Sequence, residues 1–145
     1  MKPAMLLASM SFAVCAYAAS PAQEKAFVDT YRKAYEAKDE KTLVSLLYTK
    51  GADAAAVAFY KMMLGAEMGG KIDTIELVDL SGEDRKHVDA MQSPDGRPAK
   101  LVMPPSKKLV VKSSTQNKDG SSSSKSEVFV GESDGKLYIL LPAAR

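Results

Sequence analysis

Apolar residues recur every three or four positions near the start of the chain, which is the spacing of one face of a helix. Phe27, Tyr31 and Tyr35 lie on this face, and charged residues occupy most of the positions between them. Ser20 begins the pattern of a helix-capping box just before the apolar stripe. The sequence therefore predicts a first helix over residues 21–38.

Two further helices are predicted by the same signals. Asp39 can cap a short second helix, which carries a leucine stripe and ends at Gly51. Asp53 can cap a third helix over about residues 54–68, where alanines and other helix-forming residues predominate. Three consecutive helices are thus expected before the first strand.

The pattern changes from helical to extended after residue 70. A run rich in β-branched residues predicts a strand over residues 72–80, and the polar residues 83–98 are interpreted as irregular, with a helical turn around residues 85–91. Further strands are predicted over residues 101–103, 108–115, 123–131 and 136–141. The last three form an antiparallel meander. Helices followed by strands predict an α+β domain in which N-terminal helices pack on one face of a curved antiparallel sheet.

Residues 1–18 have the three-part layout of a secretory signal peptide. A positive charge near the start is followed by an apolar run over residues 5–14, and Ala16 and Ala18 are the small residues that precede a cleavage position. The expected mature protein is a single α+β domain of residues 19–145. This leader predicts that the protein is periplasmic or secreted.

Composition narrows the classes of function. Cys15 is the only cysteine and lies inside the predicted leader; its lipidation is the alternative to ordinary cleavage, but the bulky Val14 fits a lipoprotein signal poorly. The mature chain is therefore expected to contain no disulfide. The 20 basic and 18 acidic side chains nearly balance, which argues against a nucleic-acid partner. After the leader, no segment is long and apolar enough to predict a transmembrane helix.

The element order and apolar spacing resemble the nuclear-transport-factor-2-like (cystatin-like) superfamily. The resemblance is carried by Phe27, Tyr31 and Tyr35, by Asp39 before the second helix, and by the late meander, and it covers most of the mature chain. It implies a cone-shaped fold in which a bent sheet wraps around the first helix and leaves a pocket at the wide end. It also implies kinship with small secreted members of unassigned function, and a homodimer formed across the open sheet face.

Few residues of the chain are candidates for a catalytic or binding role. Tyr31 and Tyr35 share one helical face, and together with Tyr60 they are the candidate ligand-binding residues; the simpler interpretation is that they are core residues whose hydroxyls reach the surface. His87 is the only histidine and lies among charged residues, as a surface side chain would. No metal site and no cofactor are predicted. The phosphate-loop-like residues 65–71 are followed by isoleucine instead of Ser or Thr.

The function hypothesis that follows is a non-enzymatic one. The leading interpretation is an exported protein that binds a small apolar ligand or an envelope protein. The alternative is a hydrolase or proton-transfer isomerase in which a pocket Asp or Glu works with a tyrosine, and Asp29 and Asp39 are its nominal candidates. A carboxyl group of strongly raised pKa that faces the pocket within reach of Tyr31, Tyr35 or Tyr60 would favour this alternative.

Overall fold

The computed structural model describes residues 18–144. The predicted signal peptide lies outside the described residues except for Ala18. The elements, in chain order, are α1 (Pro21–Glu36), α2 (Glu40–Ser45), β1 (Leu47–Tyr48), α3 (Ala54–Glu67), β2 (Lys71–Asp79), α4 (Gly82–Asp89), β3 (Ala99–Leu101), β4 (Lys107–Asn117), β5 (Gly120–Ser133), β6 (Lys136–Leu140) and β7 (Pro142–Ala144). This arrangement confirms the predicted α+β class.

The first three helices begin at the predicted caps. The Ser20 hydroxyl accepts a hydrogen bond from the Gln23 amide while the Gln23 side chain accepts one from the Ser20 amide. Asp39 accepts a hydrogen bond from the Thr42 amide, and Asp53 caps α3 in the same way. Each cap satisfies amide groups that the first turn of a helix leaves without a partner.

Five strands form one sheet in the order β1-β6-β5-β4-β2. The predicted meander is confirmed, because β4, β5 and β6 pair in sequence and antiparallel. β1 pairs in parallel with β6, and β3 pairs with β7 in a separate two-stranded sheet. Neither β1 nor β7 was predicted, because strands of two or three residues are too short to show an alternating pattern.

The core lies between α1 and one face of the five-stranded sheet, here called the inner face. Residues alternate between faces along a strand, and the buried members face α1. The inner face contributes Ile72, Ile75, Leu109, Val111, Val130 and Ile139 to the core cluster. Leu43 of α2 and Leu64 of α3 belong to the same cluster. Each fully buried side chain of this size contributes about 1.5–3 kcal/mol to folding.

The last turns of α1 are tied to the start of β2 by two side chains. The Arg32 guanidinium donates a hydrogen bond to the Ile72 carbonyl at 3.0 Å, and the Glu36 carboxylate accepts one from the Ile72 amide at 3.2 Å. Both backbone groups of Ile72 are therefore satisfied outside the strand ladder. These bonds fix where α1 crosses the sheet.

α4 is a full helix in the segment that the sequence suggested was irregular with a helical turn. It lies on the opposite, outer face of the sheet, because its Asp84 and His87 contact Lys108 and Phe129, which alternate with the inward-facing Leu109. The packing of helices on one face therefore applies to α1, α2 and α3 only. None of the α4 side chains is buried, so its apolar pattern was too weak to predict a helix.

A glycine allows a loop to approach the outer face closely. A Cβ atom built on Gly131 would lie 2.9 Å from Leu140 Cδ1 and 3.1 Å from Met103 Sδ. Both distances are shorter than ordinary van der Waals contact. Gly131 thus makes room for Met103, which follows β3 and helps to build the cleft described below.

Candidate functional site

Tyr31 and Tyr35 lie in the core and not at an open surface. Each is only 3% exposed, and their rings stack with centroids 6.0 Å apart. The Tyr35 hydroxyl donates a hydrogen bond to Ser113 Oγ at 3.3 Å, and Ser113 Oγ lies 2.9 Å from Ser124 Oγ. The Tyr35 hydroxyl is therefore connected to β4 and, through the two serine hydroxyls, to β5.

Tyr31 has an acidic neighbour that the sequence did not indicate. Burial raises the pKa of the Tyr31 hydroxyl, and the charge of Glu67 at the end of α3 raises that pKa further. Burial also raises the pKa of the Glu67 carboxyl above its usual value of 4.5. A carboxyl group of raised pKa near Tyr31 is one part of the arrangement that the enzymatic alternative requires; the other part is a pocket that both groups face.

Tyr60 has different surroundings from Tyr31 and Tyr35. It is half-buried, packs against the core cluster, and has a pKa raised by burial. It also lines a cavity of about 340 Å³ together with His87 and the residues that follow α4. The structure therefore pairs Tyr31 with Tyr35 and turns part of Tyr60 towards α4.

One flank of α4 forms a charged cavity of about 510 Å³ against the outer face of the sheet. Lys108 lies 2.7 Å from Asp84 and 3.5 Å from Glu127, and Lys125 lies 2.7 Å from the other oxygen of Glu127. The Lys108 ammonium and hydrogen bonds from Ser81 lower the pKa of Asp84 to about 2. Because these charges satisfy one another, they hold α4 in place and leave little for a ligand.

The other flank of α4 forms a larger cavity of about 590 Å³, here called the α4–β3 cleft. Seven of its lining residues are apolar and come from the position after β2, from α4, and from β3 with the loop after it. These apolar residues are Leu80, Val88, Leu101, Val102, Met103, Pro104 and Pro105. The ionisable residues of the cleft are Arg85, Asp89 and Lys100. A volume between about 300 and 1,000 Å³ and a mostly apolar lining are typical of small-molecule sites.

The α4–β3 cleft contains none of the residues singled out in the sequence. Arg85, Val88 and Asp89 fall on one side of α4 because they are three and four positions apart. Lys100 and Leu101 join them from β3, which is held by its pairing with β7. A full helix over residues 82–89 would have to be predicted before these three α4 residues could be placed on one side.

None of the four cavities found around α1 and α4 is lined by Tyr31, Tyr35 or Glu67. The two nominal catalytic residues are also paired elsewhere. A hydrogen bond from Lys25 lowers the pKa of Asp29, and hydrogen bonds from Thr42 lower the pKa of Asp39. A lowered pKa weakens a carboxylate as a general base at neutral pH.

Other candidate chemistry is limited in the described part of the chain. His87 is exposed, with its ring centroid 6.2 Å from that of Phe129. Between residues 18 and 144, no three His, Cys, Asp or Glu side chains converge as metal ligands. The glycine-rich residues 65–71 run from α3 into β2, whereas a phosphate loop runs from a strand into a helix.

Two apolar side chains remain exposed on α3. Phe59 is 40% exposed and Met62 is 66% exposed, and they lie on the side of the helix opposite the buried Leu64.

Within residues 18–144, every helix is too short or too polar to cross a bilayer. Compared with protein-family models, curated proteins and solved structures, the chain matches none.

Proposed function

We propose that this is an exported binding protein that holds a small, mainly apolar ligand in the α4–β3 cleft. The observation that carries the proposal is the cleft itself, a cavity of about 590 Å³ with seven apolar residues in its lining. Export is supported by the leader-like pattern of residues 1–18. The proposal keeps the ligand class expected from the sequence and moves the site from the tyrosines to α4.

The chemistry of the cleft supports binding more than catalysis. Its apolar side chains remove water from an apolar ligand, and burial of apolar surface is worth about 25 cal/mol per Å². Glu67 and Tyr31 support the enzymatic alternative by their raised pKa values. Neither residue belongs to the lining of the α4–β3 cleft, however, so the groups that favour catalysis lie away from the proposed site.

The proposal is tested with a neutral fluorescent probe of apolar surfaces, N-phenyl-1-naphthylamine. Met103 lines the cleft, and Met62 is exposed on α3 away from it. Met103→Gln and Met62→Gln are thus the same change at two places. We expect Met103→Gln to weaken probe binding by about tenfold, and Met62→Gln to leave it unchanged.

Native mass spectrometry of the purified protein gives a second measurement. A small molecule retained in stoichiometric amount and lost in Met103→Gln would support the cleft as the site. Two results would contradict the proposal: absence of saturable probe binding to the unmodified protein, or equal binding by the two variants. Circular dichroism establishes beforehand that both variants are folded.

A further inference from the structure

We propose that the ligand of the α4–β3 cleft is an amphiphilic anion, with an apolar chain in the cleft and one carboxylate or phosphate group between Arg85 and Lys100. This inference rests on the function proposed above and names the class of ligand. It is carried by two features that occur together: an apolar lining, and two cations at the same cavity whose charges are not used elsewhere in the described residues.

The positive charges around α4 differ in whether they are paired. Lys86 on the other flank pairs with Glu83 at 3.0 Å, and Lys108 beneath the helix pairs with Asp84 at 2.7 Å. In the part of the chain that the structure describes, Arg85 and Lys100 form neither an ion pair nor a side-chain hydrogen bond. Their charges are therefore available to an anion that enters the cleft.

The cleft contains a mixture of apolar and charged groups. The guanidinium of Arg85 can donate two parallel hydrogen bonds to a carboxylate or phosphate, and the ammonium of Lys100 adds a second positive charge. Asp89 also lines the cleft, and its negative charge opposes an anion. Two cations against one carboxylate still leave a net positive charge, which favours a ligand with a single anionic head group.

The geometry of the elements separates the head group from the apolar chain. Arg85 comes from the first half of α4 and Lys100 from the middle of β3, and both side chains are exposed. Leu101 is buried beside Lys100. An anion held by the exposed cations thus keeps part of its hydration, while the chain attached to it displaces water from the apolar lining.

The experiment uses competition against N-phenyl-1-naphthylamine by four probes that each contain ten carbon atoms and carry different head groups. Decanoate and decyl phosphate are anionic, decanol is neutral and decylamine is cationic. We expect each anion to displace the dye at a concentration about tenfold lower than decanol. Decylamine should be the weakest competitor. The two anions distinguish a fatty-acid carboxylate from a phosphate head group.

The charge variants are Arg85→Gln combined with Lys100→Gln, and the matched control is Lys118→Gln in the turn between β4 and β5. All three side chains are exposed, so each change is expected to alter stability by less than about 0.5 kcal/mol. The double variant should lose the preference for anions and still bind decanol. Lys118→Gln should keep the preference, and higher salt should reduce it.

The outcomes separate the two proposals. Equal competition by decanoate and decanol in the unmodified protein overturns the anionic ligand but leaves the apolar cleft intact. A double variant that still prefers anions overturns the roles of Arg85 and Lys100. Failure of the dye and of all four probes to bind overturns the proposed function together with this inference.

Discussion

Tyr35 makes an apolar contact through its ring and a polar contact through its hydroxyl. Its ring is 3% exposed and stacks on Tyr31, while its hydroxyl reaches Ser113 and, through it, Ser124. A hydrogen bond of this kind adds about 0.5–1.5 kcal/mol to the stability of a folded protein. The buried ring contributes more, because its removal would leave a cavity in the core.

Tyr35→Phe is expected to lower the free energy of unfolding by about 0.5–1.5 kcal/mol, since the ring stays and one hydrogen bond is lost. Tyr35→Ala should lower it by about 3–5 kcal/mol, as for other large aromatic residues in cores. Urea denaturation followed by circular dichroism measures both changes. Similar losses in the two variants would show that the hydroxyl, and not the ring, dominates the contribution of Tyr35.

Glu67 is a half-buried acidic residue whose effect on stability should depend on pH. Burial raises its pKa above 4.5, so the folded state disfavours the ionised form. The resulting loss of stability is absent below that ordinary pKa, grows as the pH rises through the folded pKa, and is complete above it. Glu67→Gln should therefore stabilise the protein near neutral pH, by less than about 1 kcal/mol because the side chain is partly exposed.

The measurement for Glu67→Gln is urea denaturation at about pH 7 and at about pH 3, where the carboxyl of the unmodified protein is protonated. The gain should vanish at the lower pH. Glu76→Gln, an exposed change on the outer face of β2, is the matched control and should show no gain at either pH. A gain for Glu67→Gln that persists at the lower pH would contradict the assignment.

α4 shows how an element can depend on contacts far away in the chain. Its N terminus is capped by Ser81 and Asp84, and Asp84 also reaches Lys108 across 24 positions of sequence. The side chains in this ion pair are only 14–15% exposed. The helix is therefore held on the sheet by its first turn, and the α4–β3 cleft depends on that attachment.

Asp84→Asn is expected to destabilise the protein near neutral pH, because it removes the charge that Lys108 faces. In the unmodified protein the pKa of Asp84 is lowered from 3.8 to about 2. Its stabilisation is present above the ordinary value and is lost as the pH falls through the folded value. The difference between Asp84→Asn and the unmodified protein should thus shrink as the pH falls over this range.

Urea denaturation at a series of pH values measures this difference. Glu83→Gln is the control on the same turn of α4, since its pair with Lys86 is highly exposed and such pairs contribute little. A constant effect of Asp84→Asn from neutral pH down to the folded pKa of Asp84 would show that the lysine contact does not carry its contribution.

The same kind of change should affect stability much more on one side of α3 than on the other. Leu64 is 4% exposed and Met62 is 66% exposed. Leu64→Ala should cost about 2–5 kcal/mol of stability, as expected for a cavity in a core, whereas Met62→Ala should change it by less than about 0.5 kcal/mol. Thermal and urea denaturation measure both. A large loss for Met62→Ala would indicate that a partner covers that side of the helix.

The elements that could be predicted are those whose signals are local. The caps at Ser20, Asp39 and Asp53 lie next to the apolar stripes that they start, and β2, β4, β5 and β6 carry apolar patterns of their own. α4 was missed because Val88 is its one apolar residue, and that side chain is only half-buried. The cleft was missed for the same reason, since Arg85 and Lys100 line one cavity only after α4 and β3 have both formed.

At the scale of the whole molecule, the inner face is filled and the outer face is divided. α4 covers the outer face around Lys108 and Phe129, the loop that contains Met103 covers it around Gly131, and Glu76, Lys112 and Lys125 lie on an exposed part. A homodimer across that face would have to bury these charges, which is costly unless they are paired. The homodimer expected from the family resemblance stays a prediction, and sedimentation of the purified protein tests it.

Ligand binding in the cleft should stabilise the molecule as a whole. A ligand that binds only the folded state adds about 2.7 kcal/mol at a concentration one hundred times its Kd. Decanoate is therefore expected to raise the Tm progressively with concentration, and Arg85→Gln combined with Lys100→Gln should weaken that rise. Differential scanning calorimetry measures the shift. A Tm independent of decanoate, in a protein that binds the dye, would speak against the anionic ligand.

The edges of the five-stranded sheet have a consequence for aggregation. One edge is β1, which is only two residues long. The other is β2, which is interrupted by a bulge between Ile72 and Thr74 and carries charges at Lys71, Asp73 and Asp79. Short, bulged and charged edges discourage the addition of strands from other molecules. These features disfavour edge-to-edge growth of the five-stranded sheet into a fibril.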